Sequence, residues 1–347
     1  MDAGIEKIAQ ERVISLRGLH RQYPSEAACR ELLESMRWPE GPRCPRCGNS
    51  GWWRLDGPKC RLGLRQCRNC RYQYTVTTGT PMHSTKLPLW TWIQATYLVL
   101  TSSKGISSVV LFRVLGITQS SAWRLGHSIR EMMHSRDGKG PVLKGTVEID
   151  IKDLGGAPRP RKDGQHNPRG KASAKSKVLI VAQGLGPAQG TIIPAEAADD
   201  VEAAVTGTIE PGSRIMSDNQ RALRRGLASI AGSHETVVHS AREFVRGDVH
   251  SNTADAVGAM MERAKYGVWH QFSDQQVQRY VDEMCFRWSH RVRLNGMTKD
   301  GKPRRVIALV PVLIQIRRLI AAAVGRRMKR TPAYGFACFS CRETVLA

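Results

Sequence analysis

Negative charge is scarce in this chain of 347 residues: 30 Asp and Glu stand against 53 Lys and Arg, a net charge of +23. The sequence pI is near 10.2. Such a deficit points to a polyanionic partner, of which nucleic acid is the usual one. A ribosome-like or simply soluble basic protein has the same balance, and a membrane surface fits it less well. Long apolar runs are missing too: no stretch approaches the roughly 20 residues that a membrane-spanning helix needs. The opening MDAGIEKIAQERV lacks the basic start and apolar centre of a secretory leader. The expectation is a cytoplasmic protein without a membrane partner, whose nine cysteines are thiols or metal ligands before they are disulfides. One internal segment, residues 157–177, lacks any large apolar side chain and carries seven Lys or Arg with a single Asp. It reads as a mobile basic loop, by default solvated, in which Arg159, Arg161, Lys162, Arg169 and Lys171 are candidate contacts for a phosphate backbone.

What is present begins with cysteine spacing. Cys44 and Cys47 form one Cys-x-x-Cys turn and Cys67 and Cys70 a second, with nineteen residues between the two turns. Each turn offers two thiolates to one ion, so the four complete a closed tetrahedral site for structural zinc. A thioredoxin-like redox pair needs only one such motif, and unrelated core cysteines do not account for the doubling. Cys60 between the pairs reads as a bystander, and the lone Cys338 and Cys341 near the terminus stay unassigned. Trp52, Trp53, Arg54 and Arg65 make the ribbon aromatic and basic, suiting either a DNA surface or a small core.

Before the ribbon, residues 5–37 carry helical periodicity; after it, an apolar helix starts at Leu89. Two further helices, Ser107 to Leu115 and Ser120 to Met133, are joined by the short link Gly116-Ile117-Thr118-Gln119. This suits a helix-turn-helix, which would place Gln119, Ser120 and Arg124 at the end of the second helix that meets base edges. A plain pair of core helices fits the same pattern. At the far end, Val306 to Arg327 reads as one helix interrupted by Pro311.

Between these lies an alternation of strands and helices. Val147-Glu148-Ile149-Asp150 reads as a buried strand ending in a carboxylate, a hairpin follows near 178–193, and a second strand closes at Asp218. Asp255 opens a later helix that Asn252 or Thr253 would cap. Acids at strand ends are often only turn formers or caps. In an α/β sheet, however, ligand groups gather at the carboxyl ends of strands. Asp150, Asp218 and Asp255 together would make an all-oxygen pocket suited to Mg²⁺ or Mn²⁺.

The order of elements and acids is that of a ribonuclease-H-like mixed sheet, an α/β fold. With the ribbon upstream, the chain resembles the zinc-ribbon-containing DDE transposases of bacterial insertion sequences. The resemblance runs from about residue 15 to 295. It is carried by Met36-Arg37-Trp38-Pro39-Glu40-Gly41, the second cysteine pair, Thr78-Gly79-Thr80, Lys104-Gly105-Ile106-Ser107 and Ala122-Trp123. VEID with Gly155-Gly156, Val249-His250-Ser251-Asn252-Thr253, Gly267-x-x-His270 and Arg279-Tyr280-x-x-Glu283-x-x-Phe286-Arg287 complete it.

The resemblance implies DNA cutting and joining at element ends by a divalent-metal site of Asp150, Asp218 and Asp255. It also implies double-stranded DNA partners (terminal repeats and target), a homo-oligomer and a place on the nucleoid. Four positions depart from the family pattern. Asp255 stands where Glu is usual, Ile151 replaces an acid, Gly258 an aromatic, and Glu262 a frequent Lys. A catalytically degenerate DNA-binding relative is the other reading. The expected organisation is a helical segment over 1–40, the zinc ribbon over 41–80 and helix-turn-helix-like elements over 81–140. The catalytic core then takes 141–295 and a basic helical extension 296–347.

Overall fold

The computed structural model describes residues 14–134, 141–155, 175–184, 186–270, 272–273, 275–297, 303–331 and 335–340. Two compact units emerge, one from residues 1–133 together with 310–347 and the other from residues 134–309.

The first unit starts with α1 (Leu16–Gln22) and α2 (Glu26–Arg37). Each opens on a serine whose hydroxyl accepts a first-turn N–H, Gly18 N to Ser15 Oγ at 3.0 Å and Ala28 N to Ser25 Oγ at 3.1 Å. Such caps satisfy donors that a helix start leaves orphaned. The ribbon strands β1 (Trp52–Arg54), β2 (Arg65–Cys67) and β3 (Gln73–Tyr74) pair antiparallel in that order. Their small core is Cys44, Cys67 and Tyr74, with Trp38 and Trp52 packed against it. Arg65 belongs to this interior: its guanidinium donates to both Glu34 carboxylate oxygens, at 2.8 and 2.7 Å, and lies 5.3 and 4.9 Å from the Trp38 and Trp52 rings. Of the expected basic and aromatic surface, Trp53 and Arg54 are exposed and Arg65 is an internal strut.

Next come α3 (Leu89–Thr101), α4 (Ser108–Leu115) and α5 (Gln119–Met133). Ser107 caps α4, and Gly116 ends it at φ 63°, a left-handed conformation natural to glycine. The sequence from Val306 to Arg327 departs from expectation. Instead of one helix it forms a strand to Leu309, a helix Val312–Ala322 and a strand from Arg326. Pro311 is the reason, standing as the residue that caps the helix, where a missing N–H costs nothing. This helix packs on α2, α3 and α5 through Ile316, Leu319 and Ile320. The Arg326 guanidinium, buried behind it, donates to the Glu131 carbonyl at 2.7 Å.

The second unit is built on β4 (Thr146–Leu154), β5 (Ser176–Ala182), β6 (Ala188–Ile193), α6 (Ala198–Val205), β7 (Arg214–Asp218), α7 (Arg221–Gly226) and β8 (Ser233–Val237). The five strands lie in the order β6-β5-β4-β7-β8. β5 runs antiparallel to both its neighbours, and β4, β7 and β8 are mutually parallel. The expected ribonuclease-H-like mixed sheet is therefore the fold of this unit. A small hairpin, β9 (Val245–Arg246) and β10 (Val249–His250), leads into α8 (Asn252–Ala264) and α9 (Val277–Ser289). The unit closes with the paired strands β11 (Arg291–Met297) and β12 (Pro303–Leu309).

Because successive side chains on a strand point to opposite faces, the sheet has two interiors. Val147, Ile149 and Ile151 pack with Val201 and Val205 of α6 and Leu223 of α7. Leu154, Val178, Ile180 and Ala182 pack with Val257, Met260 and Met261 of α8 and Val281 and Cys285 of α9. α9 rests directly on β6 at Gly190, where an added Cβ would run into Val281 Cγ1 and lie 3.2 Å from Cys285 Sγ.

Gly190→Ala is accordingly expected to destabilise the protein by about 1–3 kcal/mol, the usual cost of overpacking a filled core. Urea unfolding measures it. A change below about 0.5 kcal/mol, the scale of an ordinary surface substitution, would mean that α9 moves off the sheet freely.

Candidate active site

The face of β4 turned to α8 carries Glu148, Asp150 and Lys152 in alternation. Asp150 is 7% exposed and Glu148 2%. Parallel pairing of β4 with β7 ends at Ile149 opposite Ser217. Asp150 and Asp218 therefore follow as neighbours on adjacent strands and share a face. Asp218 is the last residue of β7, half-exposed, and its Oδ1 accepts the Asn219 N–H at 2.7 Å. One residue before it, the buried Ser217 hydroxyl bonds His234 Nε2 at 2.8 Å and ties β7 to β8.

Asp255 comes from the first turn of α8. Its carboxylate lies close enough to that of Asp150 for the two charges to act on each other. Burial above all, and then the Asp255 charge, push the Asp150 carboxyl up to about 7, against the weaker pull of Lys152 and of the Ile151 N–H. The structure thus brings Asp150 and Asp255 together and leaves Asp218 alongside, engaged with its own turn. Among the described residues, the four ribbon cysteines are the group of three or more metal-type ligands close enough to hold one ion; the three aspartates do not converge to that degree.

The start of α8 also differs from expectation. Ser251, rather than Asn252 or Thr253, holds the cap position. Its hydroxyl donates to Asp255 Oδ2 at 3.2 Å and lies 3.5 Å from His239 Nε2. Thr253 is committed elsewhere: its N–H and its hydroxyl both donate to the Glu148 carboxylate. His250 Nδ1 stands 3.5 Å from Glu148 Oε2. Glu148 therefore pins the first turn of α8, the turn that carries Asp255, to β4. Sequence reading passed over this residue, although the signal was there: an acid two positions before Asp150 in a strand shares its face.

The four departures from the family pattern fall differently in space. Ile151 lies in the opposite core, against α6 and α7, away from Asp150. Gly258 sits where α8 crosses Lys152 and Ile180, and Glu262 is half-buried two turns beyond Asp255 on the same helix.

In the ribbon, Cys44 and Cys70 Sγ are 3.6 Å apart, Cys47 and Cys67 Sγ 3.5 Å, and all four sulfurs lie within 4.8 Å. Bonds of about 2.3 Å in a zinc tetrahedron give edges of about 3.8 Å, so the donor set and spacing fit zinc. The Asn49 backbone N–H draws the Cys47 thiol down to about 6, whereas burial lifts Cys44 to about 12. Cys60 stands outside the cluster and is exposed. Cys338 lies on the strand Gly335–Ser340, and Cys341 is outside the described residues.

Of the proposed DNA contacts, Gln119, Ser120 and Arg124 are exposed at the amino-terminal part of α5. Gln119 Nε2 donates to Ser108 Oγ at 3.2 Å, and Arg124 borders a cleft with His83, Lys86 and Ser121. Arg159, Arg161, Lys162, Arg169 and Lys171 lie outside the described residues.

Residues 142–289 match the family model of the ISXO2-like transposase domain, and residues 24–73 match the transposase zinc-ribbon domain. A Halobacterium salinarum protein described as an uncharacterized protein in transposable element ISH50 is 26% identical over 255 residues, covering 70% of this chain and 84% of that protein. No helix among the described residues is long and apolar enough to cross a membrane.

A raised carboxyl pKa means that the folded chain holds the Asp150 proton more tightly than the unfolded chain does. The resulting instability is absent below pH 3.8, grows between 3.8 and about 7, and is complete above. In chelator, Asp150→Asn should melt above the unsubstituted protein at pH 8, and the gap should close as pH falls toward 4. A melting difference that stays constant across that range would rule out a penalised Asp150 charge.

Proposed function

As a zinc-ribbon transposase of the insertion-sequence type, this chain acts, we propose, on the terminal repeats of a bacterial element, where it catalyses metal-dependent DNA cleavage and strand transfer. The observation that carries this reading is the Asp150–Asp255 pair: two carboxylates near enough for their charges to act on each other, one of them buried in the sheet. Like charges so placed repel each other and favour either a retained proton or a bound cation. With Asp218 beside them they form an all-oxygen donor set, the chemistry that suits Mg²⁺ or Mn²⁺. Such an ion supplies Lewis-acid activation of a phosphodiester and of the attacking hydroxyl.

The chain's own residues do the rest in this reading. Asp150 gives up its proton to become a ligand, and Asp218 turns from the Asn219 N–H toward the shared centre. Glu148 holds α8 so that Asp255 stays in reach. Gln119, Ser120 and Arg124 meet DNA from the helix-turn-helix-like segment over 81–140, and Arg159, Arg161, Lys162, Arg169 and Lys171 add phosphate contacts. The ribbon over 41–80 holds zinc through Cys44, Cys47, Cys67 and Cys70, between the helical segment over 1–40 and the core over 141–295. Paired ends call for a homo-oligomer, and substrate DNA for a place on the nucleoid in the cytoplasm.

A second reading has its own observation. The three aspartates do not converge, and Asp218 is satisfied by its own turn. This suits a DNA-binding relative that has lost catalysis.

Cleavage of DNA carrying the element's ends, in Mg²⁺ or Mn²⁺, separates the two. Nicks at the repeat boundary that vanish with Asp150→Ala support the transposase. Repeat-specific binding without nicking in either metal supports the binder. Because Asp150 must lose its proton first, Mg²⁺ affinity should climb by up to about tenfold per pH unit toward pH 7 and flatten above it. Calorimetric titration that finds a flat profile removes Asp150 from the ligand set. For the ribbon, metal analysis should find one zinc per chain, lost in Cys70→Ser together with a lower melting temperature. Full zinc content in that variant would sink the four-cysteine assignment.

A further inference from the structure

Lys152 follows Glu148 and Asp150 on the α8-facing side of β4, and it is half-buried. Its aliphatic stem lies across α8 at Gly258. A Cβ there would stand 3.4 Å from Lys152 Cδ, 3.5 Å from Cγ and 3.3 Å from Ile180 Cδ1. The missing side chain at 258 gives the stem a shallow seat, flanked along the helix by Asp255 one turn before and Glu262 one turn after. Despite three nearby acid positions, no hydrogen bond or ion pair holds the Lys152 ammonium among the described residues. Other buried lysines of the same unit are committed. Lys177 bonds Asp153 at 3.0 Å and Glu196 at 2.8 Å, and Lys265 donates to the Gly155 carbonyl.

We propose that Lys152 is a phosphate-binding residue at the reaction centre, its stem seated over Gly258 and its ammonium holding the sugar-phosphate backbone of the DNA strand that enters beside Asp150 and Asp255. This rests on the reading of that pair as the site of reaction. A compact ammonium on a flexible stem is a point-charge partner for phosphate that tolerates several strand positions. Its location gives it a second consequence. It is the cation that Asp150 feels from its own strand, so a phosphate held by the ammonium would lie close to the carboxylate pair. The carboxylates alone would repel a phosphate; Lys152 gives that face of the sheet a positive counterpart.

The test is the salt dependence of binding, measured on the full chain with DNA carrying the element's ends in Ca²⁺, so that no turnover is required. Lys152→Met keeps the stem over Gly258 and removes the charge; Lys152→Arg keeps both. Releasing one fewer counterion lowers the slope of log affinity against log salt by about 0.9. Between 50 and 200 mM salt, Lys152→Met should therefore lose about 3.5-fold less affinity than the unsubstituted protein does, with Lys152→Arg retaining the parent slope. Equal slopes in all three proteins would overturn the proposal, whether or not affinity falls, because a purely structural or charge-balancing lysine releases no counterion. A shallower slope in a protein that never nicks DNA would leave Lys152 as a phosphate contact and remove the catalytic reading instead.

Discussion

Two carboxylates, two residues apart on a nine-residue strand and almost wholly buried, set the terms for the second unit. Withdrawing a charge from water costs several kcal/mol unless partners replace the lost hydration. Glu148 has such partners in the N–H and hydroxyl of Thr253 and, more distantly, in the His250 ring. Asp150 has the opposite, since its close ionisable neighbour on α8 is another acid. The two situations are mechanically linked. By fastening the first turn of α8 to β4, Glu148 keeps Asp255 from swinging away from Asp150, so the repulsion cannot relax by separation. One carboxylate is satisfied and, through that, a second is kept in want of a cation.

That pairing also explains which parts of the site were legible in the sequence. Period-two strands and cysteine doublets write their geometry locally, so the end of β7 at Asp218 and the clustering of the four ribbon cysteines were legible from spacing. The end of β4 was not: the strand runs four residues past Asp150 to Leu154, held by its pairing with β5, so this acid lies mid-strand and not at a strand end. Nor was the cap of α8. Ser251, Asn252 and Thr253 are all residues that cap helices, so type alone does not choose among them; the Ser251 hydroxyl serves Asp255, and the acceptor that engages Thr253 lies 105 residues earlier on β4. The degree of convergence of the three acids was equally hidden, because the side-chain direction of Asp218 is set by the turn at Asn219. Ile151 shows the converse. As a departure from a family motif it seemed to bear on catalysis, but alternation sends it into the other core, with α6 and α7.

Charge reading met a similar limit in the ribbon. From the sequence, Arg54 and Arg65 suited either a DNA surface or a small core. Arg65, however, faces Glu34 in bidentate geometry between two tryptophan rings. Arg68 and Arg71 both lie 5.5 Å from the exposed Trp53 ring. The residue type was the same; its burial decided whether it is part of the module's interior or of its surface.

The helix Val312–Ala322 completes the interior of α2, α3 and α5, more than a hundred residues upstream. During synthesis those three helices leave the ribosome early, yet their apolar surface is fully covered only once Ile316, Leu319 and Ile320 have followed. The order of manufacture and the order of completion are therefore reversed: the sheet-bearing unit can finish folding while the first unit still waits for its last piece. A gene copy cut short before codon 312 would lose nothing of the aspartate site and would still leave the amino-terminal helices without their cover.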